Sequence, residues 1–318
     1  MSLTSIFQIT IAILGLGVIA TWIFRKKKIP PGPLGYLFSF AINIALPSLI
    51  FSSIIRRFST PISVAWWQLP LWFVVFTIIA LGITLATQYI SRKESRREFA
   101  ISLFFQNAMF YPLVILNLMF GDASQYVTYL VLFAFLQPSI VFSTYMLFFR
   151  KKDTRFRLMR VFNPVLIASF LALAIGLIGL QVFLPDWLII ALEIIGAVAT
   201  PVLLLILVSH IYNDLKGKSN SRRQILIGEI IKFVLVKNLL FPLVFLGILL
   251  LIRPEYSIAL ILLLQGAAPP VSSVPVLTER SGGNRHITDQ FIVASFLASV
   301  VSIPLIIYLF NLFFHAAQ

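Results

Sequence analysis

Apolar residues run along this chain in long blocks, with polar residues collected between the blocks rather than alternating within them. At about 20 apolar residues per ~30 Å of hydrocarbon, the blocks predict ten membrane-crossing helices. They are Ile6–Phe24, Leu34–Ile55, Pro70–Ile90, Phe99–Leu118, Tyr126–Phe149, Pro164–Phe183, Leu188–His210, Phe233–Ile252, Tyr256–Leu277 and Ile287–Phe314. The longest connections, Arg150–Phe162 and Ile211–Lys232, are too short for a soluble domain.

Two blocks are not uniformly apolar. Gln106, Asn107 and Pro112 interrupt the fourth, and Gln265, Gly266, Pro269, Pro270 and Pro275 interrupt the ninth. The two are offset by five spans, an odd number, so the second half enters the membrane inverted relative to the first. The halves are 1–150 and 163–318, joined by a cytoplasmic linker at 151–162. A short echo accompanies this: Ile44-Ala-Leu-Pro47 in span two and Val198-Ala-Thr-Pro201 in span seven each carry a proline in an apolar run. At 1.5 Å per residue the interruptions fall roughly 12–20 Å into their spans, near the middle of a ~30 Å core.

Unwound backbone at that depth must be buried in protein or line a wet cavity. The second halves of both spans, starting near Pro112 and Pro270, aim their N-termini at the midplane, where partial positive charge and free N–H groups suit an anion. Matched interrupted spans are the sequence mark of a carrier's binding site. The residues expected to bind substrate are Gln106, Asn107, Tyr111, Gln265, Ser272, Ser273 and Gln137, with Pro112, Pro269, Pro270 and Pro275 as the helix breaks. A plain kink, with the same amides and hydroxyls satisfying freed backbone groups, is the competing reading, and both roles are compatible.

Composition agrees with a membrane protein: 59% hydrophobic, 11% charged, mean hydropathy +0.98. There is no cysteine, and His210, His286 and His315 lie far apart, so no metal site or other cofactor is expected. The net charge of +14 is explained by where it falls. Twenty of the 25 Lys/Arg lie in the odd-numbered connections and three in the even ones, which puts the odd connections in the cytoplasm and both termini outside the plasma membrane. No basic stripe interleaves with aromatics, so a nucleic-acid partner is not expected. The run Arg25–Lys28 follows the first block instead of preceding it, which marks a span and not a cleaved signal. Trp66, Trp67 and Trp187 read as interfacial anchors. Among embedded charges, Glu193 and Glu229 fall near span ends, Lys232 can snorkel, and Lys237, slightly deeper, can attract an anion.

Several stretches, in order along nearly the whole chain, resemble the auxin efflux carrier family, which includes plant PIN-type transporters and bacterial malate and malonate permeases within the bile-acid-symporter-like superfamily. They are Asn43 to Phe51 with Pro47, Asn107 through Pro112 to Gly121, Asn163-Pro164, Thr200-Pro201 and the leucines after it, Lys237 to Pro242, Gly266 to Pro270, and Pro304. The resemblance implies an all-α membrane fold of ten helices in a 5+5 inverted repeat with broken, crossing helices four and nine. It also implies a scaffold of spans one, two, six and seven, a homodimer, and a transport domain that moves elevator fashion. It adds Asn43 to the substrate-binding residues. In this chain the proline follows Asn107 by five residues, with Tyr111 before it, and the long loop of many plant members between spans five and six is missing. The expected function is secondary transport of a small organic anion, a carboxylate foremost. The alternatives are a membrane-embedded ligand sensor and a sodium-coupled, bile-acid-like symporter. With no embedded acid, base or nucleophile constellation, an enzyme is not expected.

Overall fold

A computed structural model describes residues 36–58 except 38, 67–120, 125–149 except 135, 164–199, 202 and 226–314. The first predicted span, connection five, Trp66, His210, His315 and the later part of span seven lie outside the described residues. The described chain is helical, and three helices are long and apolar enough to cross a membrane: Gln68–Ile90, Ile227–Ile252 and Arg285–Phe313.

In chain order, α1 is Leu46–Phe58, α2 Gln68–Thr87, α3 Arg96–Phe104, α4 Phe110–Phe120, α5 Gln125–Ala134 and α6 Gln137–Thr144. Then follow α7 Pro164–Ile178, α8 Asp186–Ala197, α9 Ile227–Val234, α10 Phe241–Ile252, α11 Tyr256–Ala267, α12 Val274–Arg280 and α13 Arg285–Phe313. Helix α2 shows why such sequences suit lipid. Leu69, Phe73, Phe76, Ala80, Thr84 and Thr87 recur at helical spacing and are buried. The other faces still expose Leu71, Val74, Ile78, Leu81 and Leu85, so the helix is apolar all round. Its inward hydroxyls return to their own backbone, Thr84 Oγ1 donating to the Ala80 carbonyl at 2.8 Å.

Proline shapes two further helices in the same way. The ring of a mid-helix proline clashes with the carbonyl four residues back and removes a donor. Before Pro47 the backbone widens into a π turn at Ala41–Ala45, and before Pro242 into another at Leu235–Leu240, where the Phe241 N–H reaches back five residues to the Val236 carbonyl. The extra residue in the second turn has a consequence for side chains: Val236, Lys237 and Asn238, three in succession, all point inward.

The helices pack in two groups. α1 lies against α7 and α8, while α2, α5, α9–α11 and α13 pack around the interrupted pairs α3–α4 and α11–α12. The groups meet chiefly where α1 touches α5 and α6 touches α7. Close approach of α1 to α8 depends on Gly196, where an added Cβ would stand 2.6 Å from the Leu49 Cα. At their exposed edge Arg56 and Glu193 form a two-pronged ion pair, Nε to Oε1 at 2.7 Å and Nη2 to Oε2 at 3.2 Å.

One end of the second group is fastened by buried carboxylates. Glu229 Oε2 accepts from Ser91 Oγ at 2.7 Å, Ser95 Oγ at 3.3 Å and the Arg92 N–H at 3.2 Å, and its Oε1 pairs with Lys232 Nζ at 2.9 Å. Lys232, expected only to snorkel, is thus also an ion-pair partner. Glu98 Oε1 accepts the Asn284 N–H at 2.8 Å, tying α3 to the turn before α13.

Two stability outcomes follow. Gly196→Ala should lower the thermal midpoint in detergent, by overpacking that costs about 1–3 kcal/mol, whereas Gly247→Ala, with open space around it, should be neutral or mildly stabilising through helix propensity. Glu229→Ala removes the acceptor shared by two hydroxyls and an amide and should cost about 1–3 kcal/mol; Arg56→Ala, which breaks the exposed pair, should cost at most about 1 kcal/mol. Thermal unfolding of the four variants side by side checks the order.

Candidate functional site

Both interrupted spans unwind, and they do so against each other. Between α3 and α4 the chain is non-helical from Phe105 to Met109, and between α11 and α12 from Ala268 to Ser273. The two segments run antiparallel: the Asn107 N–H donates to the Pro269 carbonyl at 2.8 Å, and the Val271 N–H donates to the Phe105 carbonyl at 2.9 Å. Gln106 and Pro270 face each other in this bridge. Pro269 and Pro270 have no N–H of their own, so the pairing stops at two bonds instead of growing into a ladder.

Side-chain amides cover what the backbone leaves. Gln137 Nε2 donates to the Gln106 carbonyl at 2.7 Å, and Gln265 Nε2 donates to the Ala108 carbonyl at 2.6 Å. Asn107 Oδ1 accepts the Tyr111 N–H, at 3.4 Å, in the first turn of α4. The Tyr111 hydroxyl reaches Ser299 Oγ on α13 at 2.6 Å, its ring lying edge-on to Phe296. Gln106, Asn107, Tyr111, Gln137 and Gln265 are all buried. Ser273 is buried at the N-terminal edge of α12, and Ser272 beside it is half-buried. Asn43 lies apart: it is exposed, on the π turn that packs with α7 and α8, and donates to Ser39 Oγ at 3.0 Å.

The prolines act differently from one another. Pro269 and Pro270 lie in the unwound segment, as expected. Pro112 and Pro275, expected to break their spans, instead sit in the first turns of α4 and α12, where the missing N–H would have had no intrahelical partner and a fixed φ suits the helix. The second halves start at Phe110, two residues before Pro112, and at Val274, four residues after Pro270. Pro112 and Pro275 also remove donors from the helix N-termini, so the crossover carries fewer free N–H groups than the spacing predicts. In span five, Gln137 opens α6 from a position that lets its amide reach the crossover.

Three polar groups on α13 come from no local motif. Ser295, Ser299 and Ser302 recur along one buried face of α13. Ser299 holds Tyr111; Ser295 Oγ donates to Asn238 Oδ1 at 2.8 Å, and Asn238 Nδ2 donates to the Ser295 carbonyl at 2.9 Å and contacts Ser302 Oγ at 3.4 Å. Their helical spacing was the available signal.

Two buried polar atoms here lack a hydrogen-bond partner among the described residues: Gln265 Oε1 and Lys237 Nζ. A cavity with room for about one water molecule lies beside the crossover, lined by Thr77, Gln106 and Gln137 among Phe73, Phe104 and Phe105. A larger open cleft, about 510 Å³, lies at the turn before α13, where Arg285 is paired with Glu279 at 3.1 Å and Asp289 at 3.4 Å. Among the described residues no group of three His, Asp or Glu could hold a metal.

The amides that close the break are expected to be structural as well as functional. Gln265→Leu and Gln137→Leu each strand a buried carbonyl and should cost about 1–3 kcal/mol apiece, read as a lower thermal midpoint of the purified protein.

Comparison with known proteins gives this arrangement its context. No curated protein matches the chain. The family described as membrane transport protein matches residues 2–160 and 153–307, nearly the whole length. The stretches quoted from the sequence, the apolar helices and this match agree, and the chain belongs to the membrane transport protein family, that of the auxin efflux carriers.

Proposed function

We propose that this membrane transporter is a secondary carrier of a small organic anion, a carboxylate, and that the crossover of α3–α4 with α11–α12 is its substrate site. The observation that carries the reading is the pair of unwound segments, joined through the Asn107 and Val271 amides and flanked by buried side-chain amides. Unwound backbone in an apolar interior is costly, and matched breaks are characteristic of carrier sites. On this reading Gln106, Asn107, Tyr111, Gln137, Gln265, Ser272 and Ser273 surround the substrate, and Asn43 contributes from the other group only if the groups move.

The wider architecture is proposed with it: ten spans as a 5+5 inverted repeat, halves 1–150 and 163–318, with odd connections in the cytoplasm and both termini outside. The family match divides within connection five, which supports this division. The sparse contact between the α1–α7–α8 group and the rest supports a scaffold and a transport domain that slides past it as an elevator, with the scaffold as the homodimer surface. Sodium coupling is the second reading, since Gln265 Oε1 is an oxygen of the kind hard cations take and has no partner among the described residues.

Proteoliposomes should take up labelled lactate, malonate or another small carboxylate, and Asn107→Ala should abolish uptake while the protein still folds, its stability lowered only by the roughly 0.5–2 kcal/mol of the lost cap on the Tyr111 N–H. The crossover bond is made by the Asn107 backbone, which alanine keeps. Uptake indifferent to Asn107→Ala and to Pro270→Ala rejects the site; uptake lost when choline replaces sodium selects the coupled reading.

A further inference from the structure

Lys237 is the largest charged side chain wholly buried among the described residues, with none of its surface exposed. The π turn before Pro242 turns it inward together with Asn238. Asn238 is fully occupied by Ser295 and Ser302, yet Lys237 Nζ has no hydrogen-bond partner among the described residues and lies over the Phe241 ring, 4.5 Å from its centre. A lone buried ammonium costs several kcal/mol unless an anion meets it.

Among the described residues no carboxylate is placed to do so. The elements packed on this π turn are α9, α10, α11 and α13. On α9, Glu229 is engaged by Ser91, Ser95, Arg92 and Lys232. On α13, Arg285, His286 and Asp289 lie in the first turns, well before Ser295 at the level of Lys237, and Asp289 pairs with Arg285. Neither α10 nor α11 carries a charged residue.

The position relative to the crossover is set by helix register. Phe245 packs on Gly266, where an added Cβ would lie 2.8 Å from its ring. Phe241 and Lys237 lie one and two turns before Phe245, and α11 runs antiparallel, so Lys237 lies at the level of the unwound segment that follows Gly266; Asn238 next to it bonds Ser295 and Ser302, which flank Ser299, the partner of Tyr111. That segment is where Pro112 and Pro275 leave the helix N-termini short of donors for an anion.

We propose that Lys237 is the counter-ion of the carried anion: its ammonium pairs with the substrate's carboxylate, so that the occupied carrier neutralises one negative charge inside the membrane. The inference rests on the carboxylate reading of the crossover and deepens it by naming the group that holds the charge.

The test uses the purified full-length protein in detergent. Without ligand, Lys237→Met should raise the thermal midpoint by a few degrees, since it removes an uncompensated charge for a side chain of similar shape. A fall would mean that the ammonium is already satisfied within the protein, and overturns the proposal. Calorimetric titration with lactate, malonate and benzoate, each against its neutral amide, provides the second measurement. Wild type should prefer at least one carboxylate to its amide by tenfold or more; Lys237→Met should lose that preference, and Lys237→Arg should keep most of it. A preference that survives Lys237→Met discards this inference alone, while wild type that binds none of the carboxylates discards the crossover reading and this inference with it.

Discussion

Two backbone hydrogen bonds, Asn107 to Pro269 and Val271 to Phe105, are the constraint around which the rest of this protein is arranged. Helices interrupted in an apolar interior leave amides and carbonyls that neither lipid nor side-chain packing can satisfy. Here each break is the partner of the other. Because prolines occupy two consecutive positions of one segment, the pairing cannot extend, and the remaining carbonyls at Gln106 and Ala108 fall to Gln137 and Gln265. The crossing geometry therefore dictates that glutamines, not leucines, face it from α6 and α11.

The surrounding helices extend the same economy of polar groups. Ser299 on α13 holds Tyr111 at the start of α4, and Ser295 and Ser302 hold Asn238 on the π turn, so one face of α13 is bonded to both the broken span and its neighbour. Around this face the packing is aromatic, with Phe99, Phe233 and Phe291 in mutual contact and Phe76 stacked on Phe245. Buried carboxylates at one end, Glu229 and Glu98, are paired with hydroxyls, amides or a lysine before any charge is left over. Among the described residues Lys237 is the exception: its buried ammonium has no hydrogen-bond partner.

The locations of the breaks were legible because their causes are local. A glutamine–asparagine pair in one apolar block and paired prolines in the other disfavour helix wherever they occur, and the structure unwinds at Phe105–Met109 and Ala268–Ser273. What misled was treating all prolines alike. Pro112 and Pro275 fit the first turn of a helix, so they start α4 and α12 instead of ending what precedes them, and Pro47 and Pro242 are absorbed by π turns. Gln137 carried only the proline after it as a local signal, and it bonds a residue 31 positions away.

By itself the sequence determined the membrane class, the helical fold, the apolar blocks, the two matched interruptions and the family, since each follows from composition, block length or short motifs. The tertiary structure alone decided which polar group answers which. Tyr111 and Ser299 are 188 residues apart, Gln265 and Ala108 are 157 apart, and neither pair shares any local signal. It also decided that Asn238 would be satisfied and Lys237 beside it would not, because a hydrogen bond depends on distance and direction in the folded chain, and those arise only when helices from both halves are packed together.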